Sequence, residues 1–153
     1  DILWPPRHWP ASLEPSDNNQ SLVALLRCYG RRILVCSDIE QPVQARDYAL
    51  EAVKLDEDWG DPYILLGQAY ISGRERCGEN EFERSAVFWA AVDKFYKAKS
   101  VDPEVEEEAT ELINRYSQYF TNKADAFFYG FSNRDSYTVG CWINETTTVR
   151  TIQ

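Results

Sequence analysis

Apolar residues recur with helical spacing through the middle of the chain. In segment 43–55, the residues Ala45, Ala49 and Ala52 are three or four positions apart, so they lie on one face of a helix. Segment 62–103 contains two longer stretches with the same kind of spacing, joined by a polar, glycine-containing loop. The pattern predicts an antiparallel pair of helices there, preceded by a single helix.

Polar residues mark where the helices begin. The dipeptide Asp61-Pro62 predicts Asp61 as an N-cap and Pro62 as the first helical residue. A further helix is predicted over Val105–Phe120, because glutamates crowd its start, where the helix dipole favours negative charge.

The first 44 residues have a different pattern. Residues 1–20 are rich in proline, which fixes φ and removes a backbone donor, so we predict extended chain or loop. Segments Ser21–Tyr29 and Arg32–Ile39 are apolar almost throughout and predict two strands. Gly30-Arg31 between them predicts a tight hairpin turn.

The tail from Thr121 onward is aromatic and β-branched. Segments Tyr137–Ile143 and Thr146–Thr151 read as extended chain. We predict that the aromatic run Ala126–Phe131 docks on the last helix and that the tail covers its apolar face. The fold class predicted is therefore mainly α, with an N-terminal β-hairpin and an irregular or β C-terminal cap.

The composition of the chain limits the classes of partner that it is expected to bind. The chain has 153 residues and a net charge of −9, with 44% apolar and 14% aromatic residues. An acidic surface argues against nucleic acid and favours a basic protein or peptide as partner. No run of about 18 apolar residues is present, so no membrane insertion is expected.

The central helices carry a motif of large and small residues. It resembles a tetratricopeptide repeat, in which a large residue, Leu-Gly, Tyr, Ala, an aromatic residue, Ala and Pro follow in order. The matching residues here are Tyr63, Leu66, Gly67, Tyr70, Ala91, Phe95, Ala98 and Pro103. The resemblance implies that Gly67 lies against the helix that carries Ala91 and Phe95.

That resemblance also implies a binding surface. The concave face of the first helices and the long loop of the repeat are the expected contacts. They give five candidate binding residues: Tyr63, Gln68, Ile71, Arg74 and Arg76. Region 45–153 is similar to a tetratricopeptide family of Bacteroidetes with many envelope members, which implies the cell envelope or periplasm, with the cytoplasm as the alternative.

The N-terminal segment carries a second resemblance. Segments 4–6, 17–23 and 29–40 are similar to part of the metallo-β-lactamase-like domain of bacterial DNA-internalisation proteins of the ComEC type. The resemblance makes Asp38 the position of a metal ligand. Because the His-rich motif is missing and His8 stands alone, we expect no metal site and interpret Asp38 as a strand-end or cap residue. Either the chain is a fusion of two families or one match is accidental.

The four cysteines show no metal-binding spacing, and no catalytic triad or cofactor motif can be written. Cys77 lies in the long loop and Cys141 in the tail that folds back over the helices. These two form either a disulfide, if the protein is exported, or two separate thiols.

We predict two parts, 1–44 with the hairpin and 45–153 with the helices. Three functions follow as hypotheses. The first is a non-enzymatic adaptor or scaffold that binds a protein or peptide. The second is a degenerate metal-dependent hydrolase fragment, and the third is a structural envelope subunit.

Overall fold

The computed structural model describes residues 23–28, 31–36 and 42–152. They form five α-helices and two antiparallel two-stranded sheets, so the predicted mainly helical fold class is confirmed. The strands and helices are β1 Val23–Cys28, β2 Arg31–Cys36, α1 Pro42–Leu55, α2 Asp61–Ser72, α3 Glu81–Val101, α4 Glu106–Tyr116, α5 Lys123–Phe128, β3 Ser136–Val139 and β4 Glu145–Thr148. Short 3₁₀ turns cover Arg74–Arg76, Pro103–Val105 and Ser117–Tyr119.

The N-terminal hairpin pairs β1 with β2. The register places Val23 opposite Cys36 and Cys28 opposite Arg31. Arg31, which the sequence places in the turn, therefore belongs to β2. Asp38 and His8, the residues that bear on the metal-site hypothesis, lie outside the described residues.

α2 begins one residue earlier than its sequence predicts. Asp61 is the first helical residue rather than the N-cap, and the N-cap position is Gly60, which makes no side-chain cap bond. The Asp61 carboxylate instead accepts the indole N–H of Trp59, whose ring is buried. A buried indole N–H needs an acceptor, so the Asp61 carboxylate bonds to Trp59 instead of capping the backbone of α2.

Gly60 also ties α2 to the turn before α4. Its N–H donates to the Asp102 carboxylate over 2.9 Å, and the same carboxylate caps Glu104 N at 3.0 Å. A Cβ on Gly60 would lie 2.3 Å from a methyl carbon of Val105. Only glycine fits this close approach.

α3 is the centre of the core. Six consecutive residues, Val87–Val92, are buried, because α2, α4 and the tail strands surround the helix. Its N-cap is Asn80, whose side chain accepts the N–H of Glu83 at 2.9 Å. Gly67 of α2 meets α3, as the repeat motif implied.

α4 is shorter than the predicted Val105–Phe120. The helix covers only Glu106–Tyr116, and 3₁₀ turns flank it on both sides. Its buried residues Ala109, Leu112 and Ile113 lie on one face, while its glutamates are exposed. The amphipathic pattern is that of a helix packed on one side, here against α3.

The tail does not dock where its sequence predicts. Phe127 and Phe128, in the aromatic run, are 79% and 81% exposed instead of covering the last helix. The hairpin of β3 and β4 packs on α3, where Trp89 Nε1 donates to the Arg150 carbonyl over 2.8 Å. The predicted docking of the aromatic run on the last helix is wrong, because the side chains that form hydrogen bonds with the tail are on α3.

Charged and hydroxyl groups fasten the tail to the helices. The Asp93 carboxylate accepts hydrogen bonds from Thr147 and Arg150. The next residue, Lys94, pairs with Glu145 at 2.6 Å, and Glu145 also accepts the Tyr70 hydroxyl at 2.5 Å. These contacts join α2 and α3 to β4 and to the residues that follow β4.

A disulfide supplies a second attachment. Cys77, after the first 3₁₀ turn, is bonded to Cys141 in the connection between β3 and β4, with Cα atoms 5.1 Å apart. Next to it, the Trp142 ring packs against Gly73 and makes an edge contact with Tyr70 at 5.8 Å. The loop and the tail therefore form one packed unit.

Candidate functional site

The five residues predicted as binding contacts do not form one exposed surface. Tyr63 is 7% exposed, and its hydroxyl donates to the Glu57 carbonyl over 3.2 Å. Burial first, then the charges of Glu57 and Asp58, raise the pKa of Tyr63. Tyr63 is therefore a core residue of α2 rather than a ligand contact.

The other four predicted contacts differ in exposure. Gln68 and Arg76 are exposed, whereas Ile71 is half-buried against the core. Arg74 is engaged within the chain: it pairs with Glu75 at 3.0 Å and Glu81 at 3.5 Å, and its guanidinium lies 5.3 Å from the centre of the Phe88 ring. Only Gln68 and Arg76 present free surface.

The residues of the repeat motif have a structural role. Seven of the eight are buried between α2 and α3 or beside them, namely Tyr63, Leu66, Gly67, Tyr70, Ala91, Phe95 and Ala98. Pro103 is exposed and begins the 3₁₀ turn before α4. None of the eight is among the described residues that line the groove at the start of α3.

A groove of about 500 Å³ opens at the N-terminal end of α3. It lies between the start of α3, the turn after α4, the helix α5 and the C-terminal residues. Its lining residues are Glu81, Phe82, Ser85, Tyr119, Phe120, Thr121, Asn122, Asp125, Phe128, Tyr129 and Ile152.

Stacked aromatic rings build the groove. Phe82 is buried, and Tyr129 stacks on it at 4.7 Å between ring centres. Phe128 meets Tyr129 edge-on at 5.2 Å, and Tyr119 stacks on Phe88 at 5.2 Å. The Tyr129 and Tyr119 rings are thus held in place by the buried rings of Phe82 and Phe88.

Several of these apolar side chains remain exposed. The exposed fractions are 57% for Tyr119, 81% for Phe128 and 41% for Tyr129, and Ile152 is 39% exposed. Exposed apolar side chains around a concavity are one feature that interaction sites share.

The rim of the groove is polar and anionic. Asn122 caps α5 by accepting the N–H of Asp125 at 2.8 Å, and its amide donates back to the Asp125 carboxylate at 2.7 Å. Ile152 N–H donates to the Thr121 carbonyl over 3.0 Å, which fixes the chain end beside this cap. Among the described residues, the lining includes two carboxylates, of Glu81 and Asp125, and no lysine or arginine.

The two carboxylates differ in their partners. Glu81 pairs with Arg74 and Arg84, so its charge is partly neutralised within the chain. Asp125 has no cationic partner among the described residues. The negative charge available to a ligand is therefore concentrated at Asp125, beside Phe128 and Tyr129.

Sequence reasoning missed this groove because its walls come from four separate segments. The one local signal is the aromatic run Ala126–Phe131, whose length exceeds what a short capping helix can bury. Among the described residues, no group of three or more His, Cys, Asp or Glu side chains is placed to hold a metal ion. Within the same residues, no helix combines the length and apolar character needed to cross a membrane.

Comparison with known proteins yields no relative. No family model matches the chain, and no match is found among curated proteins or solved structures.

Proposed function

We propose that the protein is a non-enzymatic module that binds a protein or peptide, and that the aromatic groove is its binding site. The observation that supports this most is the set of exposed rings, Tyr119, Phe128 and Tyr129, around a concavity of about 500 Å³. That volume lies within the range of ligand pockets, and aromatic side chains are frequent anchors of interfaces. Covering the rings with a partner removes apolar surface from water, at about 25 cal/mol per Å².

The helical scaffold is part of the proposal. We interpret α2 and α3 as one tetratricopeptide-like pair, with α1 and α4 as halves of neighbouring pairs. The fit of Gly67 against Phe95 and Ala91 supports this interpretation. The groove lies at the N-terminal end of α3, whereas Gln68 is on the exposed face of α2. The proposed contact surface therefore differs from the one that the resemblance implied.

The partner is basic in this proposal. Asp125 and Glu81 line the groove, no cationic side chain of the described segments does, and the chain as a whole carries a net charge of −9. A Lys- or Arg-containing segment is attracted over long range and then held near the Asp125 carboxylate. A second copy of this chain carries the same net charge and is repelled.

The disulfide bears on where the module acts. Disulfides persist in oxidising compartments and are rare in a reducing cytoplasm. The Cys77–Cys141 bond therefore supports an envelope or other exported location. Alkylation of thiols in intact cells, followed by mass spectrometry of the native protein, tests the location through the state of these two residues.

Selection of peptides tests the binding function. A random peptide library displayed on phage is selected against the immobilised full chain, and enriched peptides are synthesised for calorimetry. We expect enriched peptides to carry Lys or Arg beside apolar residues. Their affinity falls as salt rises from about 0.05 M to about 0.5 M, because screening shortens the reach of the rim charges.

Two neighbouring phenylalanines provide a matched control. Phe127 and Phe128 are both exposed on α5, but only Phe128 lines the groove. Phe128→Ala is expected to weaken binding by about tenfold or more, as for an anchor residue, and Phe127→Ala to leave it unchanged. Equal effects of the two substitutions, or a library without enrichment, contradict the proposal.

A further inference from the structure

We infer that the groove takes a proline-rich segment in the polyproline II conformation that carries an arginine. This inference rests on the proposed function and specifies the ligand of the same site. It follows from three properties of the groove, as far as the described residues form it: flat exposed rings, hydroxyl donors without a protein partner, and one carboxylate without a cation.

The rings favour a proline-rich ligand. Segments in the polyproline II conformation dock in grooves lined by aromatic side chains, because proline rings pack flat against them and the ligand is already ordered before it binds. Tyr119, Phe128 and Tyr129 supply such rings on both walls, and Ile152 adds an aliphatic contact. The stacking of Tyr129 on Phe82 and of Tyr119 on Phe88 keeps two of the rings preformed.

Other peptide conformations fit less well. In the described part of the chain, no residue of β1 to β4 lines the groove, and the backbone pairing there is one β-bridge between Asn122 and Ile152, too short to serve as a template for strand addition. A bound helix uses an aliphatic or methionine-rich trough with anchors one turn apart, and its backbone carbonyls are already paired. The chain has no methionine, and Ile152 is the one aliphatic side chain in the lining.

The hydroxyl groups favour a ligand with free carbonyls. Neither the Tyr119 nor the Tyr129 hydroxyl has a hydrogen-bond partner within the described part of the chain. A polyproline II segment has no internal hydrogen bonds, so its carbonyls are available as acceptors. Tyrosine hydroxyls on the walls of the groove can donate to those carbonyls, whereas a helical ligand has few unpaired carbonyls to accept them.

The carboxylate favours arginine. Asp125 carries a negative charge beside two aromatic rings, of Phe128 and Tyr129. The planar guanidinium can form paired hydrogen bonds with a carboxylate and stack on an aromatic face at the same time. An ammonium group is a point charge that forms neither the paired hydrogen bonds nor a flat stack on the ring, so arginine is preferred to lysine.

Fluorescence polarisation with defined probes tests the inference on the full chain. The first probe is a labelled peptide of about nine residues, three turns of polyproline II, with repeated Pro-Pro-Arg. The comparison probes have every Pro replaced by Ala, every Arg replaced by Lys, or a basic amphipathic helix without proline. We expect the first probe to bind at least about tenfold more tightly than the alanine and helical probes, and more tightly than the lysine probe.

Variants of the groove locate the contacts. Tyr119→Phe and Tyr129→Phe keep the rings and remove the hydroxyls, and each is expected to weaken binding about three- to tenfold. Asp125→Asn is expected to remove the preference for arginine over lysine. Its control is Glu111→Gln, an exposed carboxylate on α4 away from the groove, which should leave the preference intact.

The outcomes separate the two proposals. If the helical probe binds as tightly as the proline-rich probe and Phe128→Ala abolishes its binding, the peptide-binding function stands and the polyproline inference is overturned. The same follows if the hydroxyl variants bind the first probe as the parent does. If no probe binds and the phage selection also fails, the peptide-binding function itself is overturned.

Discussion

Gly67 on α2 lies so close to Phe95 on α3 that a Cβ at this position would be 2.4 Å from the nearest ring carbon. The Ala91 carbonyl oxygen would be 3.0 Å away on the same side. Since Phe95 is fully buried, its ring cannot move aside. The absence of one methyl group therefore sets how closely the two helices approach.

Gly67→Ala tests this packing. Alanine improves helix propensity by about 1 kcal/mol, but overpacking a buried contact costs about 1–3 kcal/mol, so we expect a net loss of stability. Urea denaturation measures the difference. Gly140→Ala is the control, because a Cβ there meets nothing within 4 Å and its φ is not positive. Identical unfolding midpoints for the two variants would show that the helices are not in close contact.

The ion pair between Asp93 and Arg150 is expected to hold the tail on α3. A double-mutant cycle with Asp93→Asn and Arg150→Gln should give a coupling of about 1 kcal/mol, because both groups are partly buried and share hydrogen bonds with neighbours. The exposed pair Lys99–Glu106 provides the comparison, for which about 0.3 kcal/mol is expected. A coupling no larger than that of the exposed pair contradicts the role of Asp93.

Reduction of the Cys77–Cys141 bond should destabilise the fold. The bond closes a loop with a sequence separation of 64, and the chain-entropy estimate for such a loop is about 4 kcal/mol, with about 2–4 kcal/mol typical of measured bonds. Thermal unfolding with and without a reductant measures the loss. The variant with both Cys77→Ser and Cys141→Ser should be insensitive to the reductant. Four titratable thiols in the denatured, unreduced chain would exclude the bond.

The hydroxyl of Tyr70 should make stability fall at high pH. Burial, followed by the hydrogen bond and charge of Glu145, raises the pKa of Tyr70 well above its ordinary value. In the unfolded chain tyrosine loses its proton near pH 10, while the folded chain retains it, so the contribution is complete below about pH 10 and is lost as the pH rises further.

Tyr70→Phe isolates this effect. The variant should be less stable than the parent at about pH 8, by about 1 kcal/mol for the lost hydrogen bond, yet its stability should fall less steeply above pH 10. Urea denaturation at several pH values provides both quantities. Tyr96→Phe, at an exposed tyrosine, should follow the parent curve. Parallel curves for Tyr70→Phe and the parent would contradict the assignment.

The helical part of the fold could be predicted because its signals are local. The alanines of α1 recur with helical spacing, and the Leu66-Gly67 pair with Ala91 and Phe95 indicated a close helix contact. The N-terminal strand pair was confirmed for the same reason, since its apolar segments are continuous. Helix ends were less accurate, because at Asp61 a buried tryptophan competes for the capping carboxylate.

The tail and the groove could not be predicted because they depend on contacts between distant segments. Nothing in the aromatic run shows that Tyr129 stacks on Phe82 while Phe127 and Phe128 face water. Likewise, the pairing of Thr147 with Asp93 is invisible in any periodic pattern. An aromatic side chain in such a run can be either buried or exposed. Only its position relative to α3 decides which of the two occurs.

The attachment of the tail to α3 has a consequence for the order of folding during synthesis. Tyr70 and Trp89 leave the ribosome 75 and 61 residues before Glu145 and Arg150, the partners of their polar groups. Until translation has passed Arg150, the side of α2 and α3 that the hairpin will cover stays open to solvent and to other nascent chains. Pairing over such separations is slow to form, so ribosome-bound intermediates of this protein should depend on chaperones that shield apolar surface until β4 and Arg150 have been synthesised.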